Sequence, residues 1–364
     1  MRILFASAHP YLPQIAGGTQ SNTDEIVREL LPRGHEVAVL SGLTGDGWTG
    51  LRGRVSLKFM RRAAVLDHDL EYPVYRSWHA WDGADEVIAR FRPDVVVVQS
   101  GSMLRVASAF YRRGVPTVLY FHNVEFDDHA GEIGEFADAV MLANSSFTAA
   151  RYRAAYGVET TIINPFFQSE RYAVESRRER VLFVNPHPLK GVNVALDLAA
   201  ICSDIPFDFL ESWTLSPPQR EILRTRVAAL PNVTLHPRTS DIRRYYAAAR
   251  VVLAPSQWEE TWGRVASEAH FSGIPVLGSR IGGLEEAIGP GGVLVDPKAP
   301  ADQWAAALRQ LWDDKEYYAR LATAARDYSK RPELDRGRQL DALEMALGDA
   351  VSRSGGRRDL QMAG

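Results

Sequence analysis

The stretch Glu260-Thr261-Trp262-Gly263-Arg264-Val265-Ala266-Ser267-Glu268 places two carboxylates at a predicted strand-to-helix junction. Residues 251–256 read as a short apolar strand that ends in a turn, and residues 264–271 read as the helix that follows, closed by Gly273. Backbone N–H groups around Trp262, Gly263 and Arg264 would then favour an anion such as a diphosphate. Glu260 and Glu268 would repel that anion, so we expect them to accept hydrogen bonds from neutral sugar and ribose hydroxyls. The alternative is a solvated helix end with two glutamates at this spacing by chance.

A second glycine turn follows directly. Residues 273–278, Gly-Ile-Pro-Val-Leu-Gly, predict another strand, and Gly282-Gly283-Leu284-Glu285-Glu286 predicts a glycine turn that opens a helix. Two such loops side by side indicate a second phosphate or sugar loop beside the first. The pattern is typical of a nucleotide-sugar site.

Length and composition favour two ordinary globular domains. A chain of 364 residues is long for one domain and natural for two of about 150 to 180 residues each. Hydrophobic residues at 46% and charged residues at 24% exclude a disordered chain, and a net charge of −3 gives no reason to expect a nucleic-acid partner. The single cysteine, Cys202, suits a reducing cytoplasm. Because no apolar run approaches the roughly 18 residues of a membrane span, we expect a cytoplasmic protein, soluble or at most peripheral to a membrane.

Two alternations of short apolar runs with helical patterns follow one another along the chain. The first predicts strands at 3–8, 36–40, 94–98, 117–121 and 139–143, and the second at 180–184, 207–210, 233–236, 251–254, 276–277 and 293–295. Strands separated by helices predict parallel sheets, which bind ligands at the carboxyl ends of their strands. We therefore predict an N-terminal domain at 1–170, a C-terminal domain at 171–334, a terminal helix at 335–351 and a flexible tail at 352–364.

The run from Pro255 to Glu286 closely resembles the C-terminal donor site of glycosyltransferase family 4, the retaining enzymes of the GT-B fold. Residues 1–42 resemble that family's first βαβ unit, with Gly17-Gly18 in the loop after the first strand and Arg33-Gly34-His35-Glu36-Val37 leading into the second. The likeness covers residues 1–42 and 115–300. It implies an α/β protein with two doubly wound Rossmann-like domains facing a central cleft. The N-terminal domain would bind the acceptor, the C-terminal domain would bind the nucleotide sugar, and the terminal helix would return to the N-domain.

Two further motifs carry the resemblance to individual residues. Phe121-His122 resembles the family's histidine at the end of an N-domain strand, which contacts the transferred sugar, and Lys190-Gly191-Val192 resembles its phosphate-binding lysine loop. The backbone of Gly17 and Gly18 would approach the donor phosphate or the acceptor. From the residues alone, the alternatives are a structural histidine, a solvated lysine and a plain turn. The candidates are, as catalytic residues, His122, Glu260 and Lys190, and, as donor-binding residues, Gly17, Gly18, Asn185, Arg238, Thr261, Trp262, Gly263, Arg264 and Glu268.

The chain departs from the family's pattern at two places. The family usually has an arginine five positions before the lysine, where this chain has Asn185, and it often has a glycine-rich turn where this chain has Glu211-Ser212-Trp213. Since a leaving diphosphate is anionic, we hypothesise that Arg264 substitutes for the missing arginine. Asn185→Arg would then partly restore activity to a variant that lacks the Arg264 side chain. The alternative is that Arg264 points to solvent or pairs with Glu260. Arg238, just after a predicted strand, is a weaker candidate near the nucleotide base.

Two N-terminal segments suggest other ligands. Asp67-His68-Asp69 matches the Asp-x-Asp metal motif of the other glycosyltransferase fold, but it lies in a variable segment, so we predict catalysis without a metal or other cofactor. Residues 52–62 interleave Arg52, Arg54, Lys58, Arg61 and Arg62 with apolar side chains. This pattern predicts either a solvated helix over the acceptor cleft or a basic interfacial helix that meets anionic lipid.

These observations predict a retaining glycosyltransferase. It would move a sugar from a UDP- or GDP-linked donor to a hydroxyl of a glycan, a lipid or a small natural product. The protein would contribute positioning and electrostatic stabilisation rather than a nucleophile. The alternatives are another enzyme of the same fold, such as a nucleotide-sugar epimerase, and a non-catalytic nucleotide-binding or sugar-binding protein.

Overall fold

The computed structural model describes residues 1–362, and the side chains of residues 1–59 and 61–354. The chain divides into two compact units. Unit 1 comprises Met1–Phe166 and the residues from Arg336 onward, and unit 2 comprises Phe167–Asp335. The divisions at 166/167 and 335/336 compare with predicted boundaries at 170/171 and 334/335.

Unit 1 is built around an eight-stranded sheet. Its elements up to the division are β1 (Arg2–Pro10), α1 (Gly18–Leu30), β2 (Glu36–Gly42), α2 (Gly47–Met60), β3 (Val65–Asp67), β4 (Val74–Ser77), α3 (Ala84–Phe91), β5 (Val95–Gln99), α4 (Met103–Tyr111), β6 (Thr117–Phe121), β7 (Val140–Ala143), α5 (Ser146–Tyr156) and β8 (Thr161–Ile162). The strand order is β3-β4-β2-β1-β5-β6-β7-β8. All pairs are parallel except β3 with β4.

Strand β5 shows why this sheet is covered on both faces. All its residues, Val95-Val96-Val97-Val98-Gln99, are buried, as expected of a central parallel strand. Successive side chains point to opposite faces. Val96 and Val98 join a core with α3, α4 and α5, whereas Val95 and Val97 join a core with α1.

Unit 2 is built around a six-stranded parallel sheet. Its elements are β9 (Arg180–Val184), α6 (Val192–Ile201), β10 (Phe207–Leu210), α7 (Pro217–Ala228), β11 (Val233–His236), α8 (Arg243–Tyr246), β12 (Ala249–Ala254), α9 (Arg264–His270), β13 (Val276–Ser279), α10 (Leu284–Ile288), β14 (Gly292–Val295), α11 (Ala301–Asp313) and α12 (Lys315–Tyr328). The strand order is β11-β10-β9-β12-β13-β14. Helices cover both faces, so the predicted fold of two doubly wound α/β domains is confirmed.

The last helix, α13 (Arg336–Met362), belongs to unit 1. Its side chains Leu340, Leu343 and Leu347 are buried in the core that α1 shares with β1 and β5. The helix continues through residues 352–362, where the sequence predicted a flexible tail. No proline follows Val351 to end the helix there. Residues 363 and 364 lie outside the described residues.

Three short strands were not predicted: β3, β4 and β8. They lie at the two edges of the unit 1 sheet, and β3 and β8 have only three and two residues. Segments of this length carry too few residues to show a period of two.

The strand order reverses once in each sheet. In unit 1 the chain passes from β1 to β2 on one side and to β5 on the other, and in unit 2 it passes from β9 to β10 on one side and to β12 on the other. Doubly wound sheets bind ligands beside the carboxyl ends of the strands at such a reversal. The loops that follow β1 and β5, and those that follow β9 and β12, are therefore the places to look for a site.

Candidate functional site

Three loops of unit 2 meet at Glu260. Lys190 lies in the loop after β9, Glu260 in the loop after β12, and Gly283 in the loop after β13. Backbone hydrogen bonds connect the loops: the Gln257 N–H donates to the Leu189 carbonyl at 2.9 Å, and the Gly283 N–H donates to the Glu260 carbonyl at 2.6 Å. The fold thus brings two of the predicted catalytic residues together at the strand reversal.

Glycines allow these loops to approach so closely. At Gly191, with φ +79°, an added Cβ would lie 1.9 Å from the carbonyl oxygen of Pro255. At Gly282, with φ +58°, it would lie 2.4 Å from the carbonyl oxygen of Glu260. A larger residue would meet both the steric overlap and the cost of left-handed backbone. Gly191 and Gly282 therefore allow the loop that carries Lys190 and the loop after β13 to pack directly against the loop that carries Glu260.

Lys190 and Glu260 form an ion pair. The Lys190 ammonium donates to Oε1 of Glu260 at 2.6 Å, and the two side chains are only 17% and 13% exposed. The Ser256 hydroxyl donates to the same oxygen at 2.5 Å. The ammonium also lies 4.9 Å from the ring of Trp213 and 5.0 Å from the ring of Trp258, which are distances for cation–π attraction. The sequence pattern does not indicate Ser256, Trp213 or Trp258 as partners of Lys190, although Trp258 lies two residues before Glu260.

Asn185 has a structural role that explains one departure from the family's pattern. Its backbone is left-handed, with φ +68°, a conformation that asparagine tolerates better than most residues. The side chain is buried, and its Oδ1 accepts a hydrogen bond from the Trp213 N–H at 3.1 Å. The Asn185 side chain thus fixes the backbone of Trp213, which belongs to the second segment that departs from the family's pattern. In this structure Asn185 positions the tryptophan that contacts Lys190.

His187 begins the turn that carries Lys190. Its Nδ1 accepts from the Leu189 N–H at 3.2 Å, and its ring packs edge-on against Trp213 with centroids 5.4 Å apart. Burial, and then the neighbouring Lys190 ammonium, lower the pKa of His187. A neutral imidazole is consistent with its role as a hydrogen-bond acceptor.

Glu268 lies inside α9 and is buried. Its Oε2 accepts a hydrogen bond from the Tyr246 hydroxyl at 2.8 Å, and its Oε1 lies 3.5 Å from Nε of Arg264. Burial, and then the Glu268 carboxylate, raise the pKa of Tyr246 well above its ordinary value, so the hydroxyl keeps its proton. Tyr246 and Arg264 therefore fix the orientation of the Glu268 carboxylate within unit 2.

Arg264 neither points to solvent nor pairs with Glu260, which were the two alternatives to a contact with donor phosphates. Its guanidinium lies 4.1 Å from the ring of Phe167, donates to the Tyr172 hydroxyl at 3.1 Å and pairs with Glu268. The side chain is 9% exposed, so it does not point to solvent. Glu260 is paired with Lys190 and not with Arg264. The predicted contact of Arg264 with donor phosphates stays a prediction.

The residues between Glu260 and Glu268 differ in which of their atoms are candidates for contact with a ligand. The side chain of Trp262 is 2% exposed and packs in the core, where its Nε1 donates to the Ser267 hydroxyl, so only its backbone is a candidate for ligand contact. Gly263 has φ +93°, and an added Cβ would lie 2.4 Å from Leu284. The Thr261 carbonyl lies against Gly283, where an added Cβ would lie 2.3 Å away.

Arg238 is remote from the strand reversal within unit 2. It is exposed and lies two residues after the end of β11. Because β11 is the edge strand, β10 and β9 lie between it and β12. Its predicted role near a nucleotide base stays a prediction.

The N-terminal candidates lie in unit 1, Gly17 and Gly18 at the start of α1 and His122 at the end of β6. Gly17 precedes α1 with φ −155°, an extended conformation that does not require glycine, and Gly18 is the first residue of the helix. His122 follows β6 directly, is buried, and packs on Tyr120 with ring centroids 4.0 Å apart. His122 is at the end of a strand, and the two glycines are between the first strand and the first helix, as predicted, and their contacts with a ligand stay predictions.

A solvent-open cavity lies at the strand reversal of unit 1. Its polar lining includes Ser7, His9, Thr19, Gln20, Thr23 and Gln99. Gln99 is 2% exposed, and its Oε1 accepts from the Thr23 hydroxyl at 2.8 Å. Its Nε2 is buried without a hydrogen-bond partner among the described residues. The sequence did not indicate this cavity, because Gln99 is only the residue that follows the predicted apolar strand at 94–98.

The Asp67-His68-Asp69 run has structural partners. Asp67 is buried and pairs with Arg76, and Asp69 accepts hydrogen bonds from Thr49 and Arg52. Among the described residues, no group of three histidine, cysteine or acidic side chains could hold a metal ion. No helix in the described part of the chain is both long and apolar enough to cross a membrane.

Solved structures share this fold along nearly the whole chain. Anabaena HepE, crystallised with UDP-glucose, superposes with a TM-score of 0.73 at 19% identity, over 97% of this chain and 99% of that one. A glycosyltransferase from Rickettsia africae gives a TM-score of 0.72 at 16% identity, over 96% and 98%. These likenesses show that the two units have the GT-B fold.

Sequence comparisons identify the family. The model of Glycosyltransferase Family 4 matches residues 16–171, and that of Glycosyl transferases group 1 matches residues 218–328, together more than half of the chain. D-inositol 3-phosphate glycosyltransferase from an Arthrobacter species is 33% identical over 195 residues, which are 50% of this chain and 46% of that protein. The enzyme of the same name from Corynebacterium kroppenstedtii is 43% identical over 93 residues, 25% of this chain and 20% of that protein. The matches thus span less than half of these two relatives. The chain belongs to the family 4-type glycosyltransferases, as its motifs predicted.

Proposed function

We propose that the protein is a retaining glycosyltransferase that moves a sugar from a nucleoside diphosphate donor to a hydroxyl acceptor. The observation that carries this proposal is the Lys190–Glu260 pair at the strand reversal of unit 2, with Glu268 in the helix that follows. A cation paired with one carboxylate, with a second carboxylate in the helix that follows, suits a ligand that combines an anionic diphosphate with neutral hydroxyls.

Each of these side chains has a proposed role. When the donor binds, the Lys190 ammonium exchanges its hydrogen bond with Glu260 for one with the diphosphate, and then stabilises the charge that develops on the leaving group. Glu260 accepts hydrogen bonds from the transferred sugar, and Glu268 accepts them from the ribose. His122 contacts the transferred sugar.

The proposed reaction needs no side-chain nucleophile. The acceptor oxygen bonds to the anomeric carbon while the bond from that carbon to the diphosphate oxygen breaks, and the acceptor's proton passes to the leaving diphosphate. Both events occur on one face of the sugar, so the anomeric configuration is retained. The protein contributes orientation and a preorganised positive charge.

The comparisons suggest which substrates to test first. The HepE complex contains UDP-glucose, so we propose a UDP-sugar donor, with GDP-sugars as the alternative. The curated relatives are named for D-inositol 3-phosphate, which favours a small-molecule acceptor over a glycan or lipid hydroxyl.

For part of the acceptor we propose the cavity of unit 1. The Nε2 of Gln99 is a buried donor without a partner among the described residues, and such a group gains from a ligand oxygen. Apart from His9, the polar side chains named in this lining are neutral hydroxyls and amides. Neutral donors and acceptors suit hydroxyls better than a phosphate.

Product analysis tests the proposal. The protein is incubated with a panel of UDP- and GDP-sugars, with and without inositol phosphates and simple polyols, and free nucleoside diphosphate is assayed. We expect diphosphate release only with an acceptor and a product of unchanged anomeric configuration by NMR. An altered nucleotide sugar without an acceptor would indicate an epimerase, binding without turnover would indicate a non-catalytic protein, and an inverted product would exclude retention.

A further inference from the structure

Helix α2 turns its small residues inward and its large apolar residues outward. Gly50 and Gly53 face unit 1, where an added Cβ would lie 2.5 Å from the Thr44 carbonyl oxygen and 2.9 Å from the Leu43 side chain. Leu57 is buried beside Leu43. The outward residues are Trp48, Leu51, Val55 and Phe59, with 73%, 50%, 46% and 81% of their surface exposed. A surface helix normally does the reverse and buries its large apolar side chains.

The four exposed residues lie on one face of the helix. Their spacings of three, four and four residues bring them into line along α2. We call this set, Trp48, Leu51, Val55 and Phe59, the apolar ridge. Scattered exposed apolar residues need no explanation, but a continuous row with an aromatic ring near each end marks a contact surface.

Basic side chains flank the apolar ridge on both sides. At 100° per residue, Arg52 lies on one side of the ridge, and Arg54 and Lys58 lie on the other. All three are exposed, as are Arg61 and Arg62 just after the helix. Acidic residues are few here: Asp69 pairs with Arg52, Glu86 lies 3.7 Å from Arg62, and Asp46 precedes the helix. The surface around the ridge is therefore positive.

We propose that α2 is an interfacial helix that docks unit 1 on an anionic lipid bilayer. The apolar ridge would enter the boundary between headgroups and acyl chains, while the basic flanks contact lipid phosphates. With 14 residues at about 1.5 Å each, α2 is too short to span a hydrocarbon core of about 30 Å and would lie in its plane. A second copy of the chain is a poorer occupant, because two such surfaces would bring like charges together.

Vesicle sedimentation with the full chain tests the proposal. One set of vesicles contains equal parts of phosphatidylcholine and phosphatidylglycerol, and the other contains phosphatidylcholine alone. We expect binding to the anionic vesicles that weakens as salt rises. Trp48→Ser and Phe59→Ser should each lower the partition coefficient about tenfold or more. The double variant Arg54→Gln, Lys58→Gln should lower it about tenfold.

Matched variants in unit 2 provide the controls. Ile222→Ser removes an apolar side chain that is 61% exposed on α7, and the double variant Lys298→Gln, Lys315→Gln removes two exposed lysines. Both should bind anionic vesicles as the unchanged protein does, and circular dichroism should show that every variant is folded. The proposal is overturned by equal binding to both kinds of vesicle, by absent binding, or by equal losses in the control variants. It is also overturned if the protein is a dimer that Phe59→Ser dissociates, since a second copy would then cover the ridge.

Discussion

The ammonium of Lys190 donates to Oε1 of Glu260 at 2.6 Å, although the two residues are 70 positions apart in the chain. Each is the counter-ion of the other in a largely buried place, and the Lys190 ammonium lies near the rings of Trp213 and Trp258. Loss of one partner would leave the other charge unpaired, and such a charge costs more than the pair itself contributes.

We therefore expect Lys190→Met and Glu260→Gln each to lower the free energy of unfolding by about 1 to 3 kcal/mol, and the double variant to cost less than the sum. Urea unfolding of the four proteins measures this coupling. The same cycle at Arg153 and Glu159, an ion pair with side chains 65% and 72% exposed, should give a coupling below about 0.5 kcal/mol. Strictly additive losses at Lys190 and Glu260 would show that the ion pair is absent in solution.

The strands and the glycine loops were predictable because their signals are local. Each run such as Arg180–Val184 carries its own apolar pattern, and Gly282-Gly283 marks its own turn. The position of Lys190 after one strand and of Glu260 after another followed from the parallel alternation. Their direct pairing did not, because it depends on which strands become neighbours.

Side-chain partners were less predictable. In the sequence, Asn185 was notable only because the family usually has an arginine there. In the structure its side chain accepts a hydrogen bond from the backbone of Trp213, 28 residues away. For Arg264 the sequence offered solvent or Glu260 as the alternative to donor phosphates, and it did not indicate the contacts with Phe167 and Tyr172, which precede the sheet of unit 2. These pairings join segments far apart in the sequence, and no local period encodes them.

Glu268 should govern affinity for the nucleotide. We expect Glu268→Gln to weaken binding of the nucleoside diphosphate by about 1.5 to 3 kcal/mol, because a charge-assisted hydrogen bond to the ribose is lost. Glutamine keeps the shape beside Tyr246 and Arg264. Tyr246→Phe, which removes one hydrogen bond from the same carboxylate, serves as the control and should change affinity much less. Calorimetry measures both, and an unchanged affinity in Glu268→Gln would refute the ribose assignment.

Asn185→Arg should destabilise the protein rather than provide a second cation, beside Lys190, for the donor phosphates. The substitution places a long cation at a buried position with φ +68° and removes the acceptor for the Trp213 N–H. We expect a loss of about 2 kcal/mol or more, against about 1 kcal/mol for Asn185→Gly, which suits the backbone but lacks the acceptor. Chemical denaturation compares the two. Equal or greater stability in Asn185→Arg, with higher turnover, would instead indicate that an arginine at this position binds the donor phosphates.

Catalysis should proceed without a divalent metal. The positive charge proposed to act on the leaving group comes from Lys190, and both aspartates of the Asp-x-Asp run have protein partners. We expect turnover to stay the same after treatment with a chelator and dialysis, measured as acceptor-dependent release of nucleoside diphosphate. Loss of turnover that Mg²⁺ or Mn²⁺ restores would contradict this expectation.

His270 should make stability depend on pH. It is fully buried in α9, packed so closely that an added Cβ at Gly291 would lie 2.7 Å from its Nε2. Burial, and then the charge of Arg331, lower its pKa from 6.5 to about 3. Between these two values the unfolded chain binds a proton that the folded chain does not, so stability falls as pH falls below 6.5. At pH 5 the contribution of this one group is a loss of about 2 kcal/mol, and above pH 7 it vanishes.

The variant His270→Leu isolates this effect, because leucine cannot take up the proton. Its stability will be lower at neutral pH as a result of changed packing, but the decrease in unfolding free energy from pH 7 to pH 5 should be about 2 kcal/mol smaller than in the unchanged protein. His68→Gln, at an exposed histidine, is the matched control and should leave the decrease as it was. Urea midpoints recorded at both pH values suffice. If His270→Leu and the unchanged protein lose equal stability on acidification, His270 binds its proton in the folded state as readily as in the unfolded one, and the low pKa is wrong.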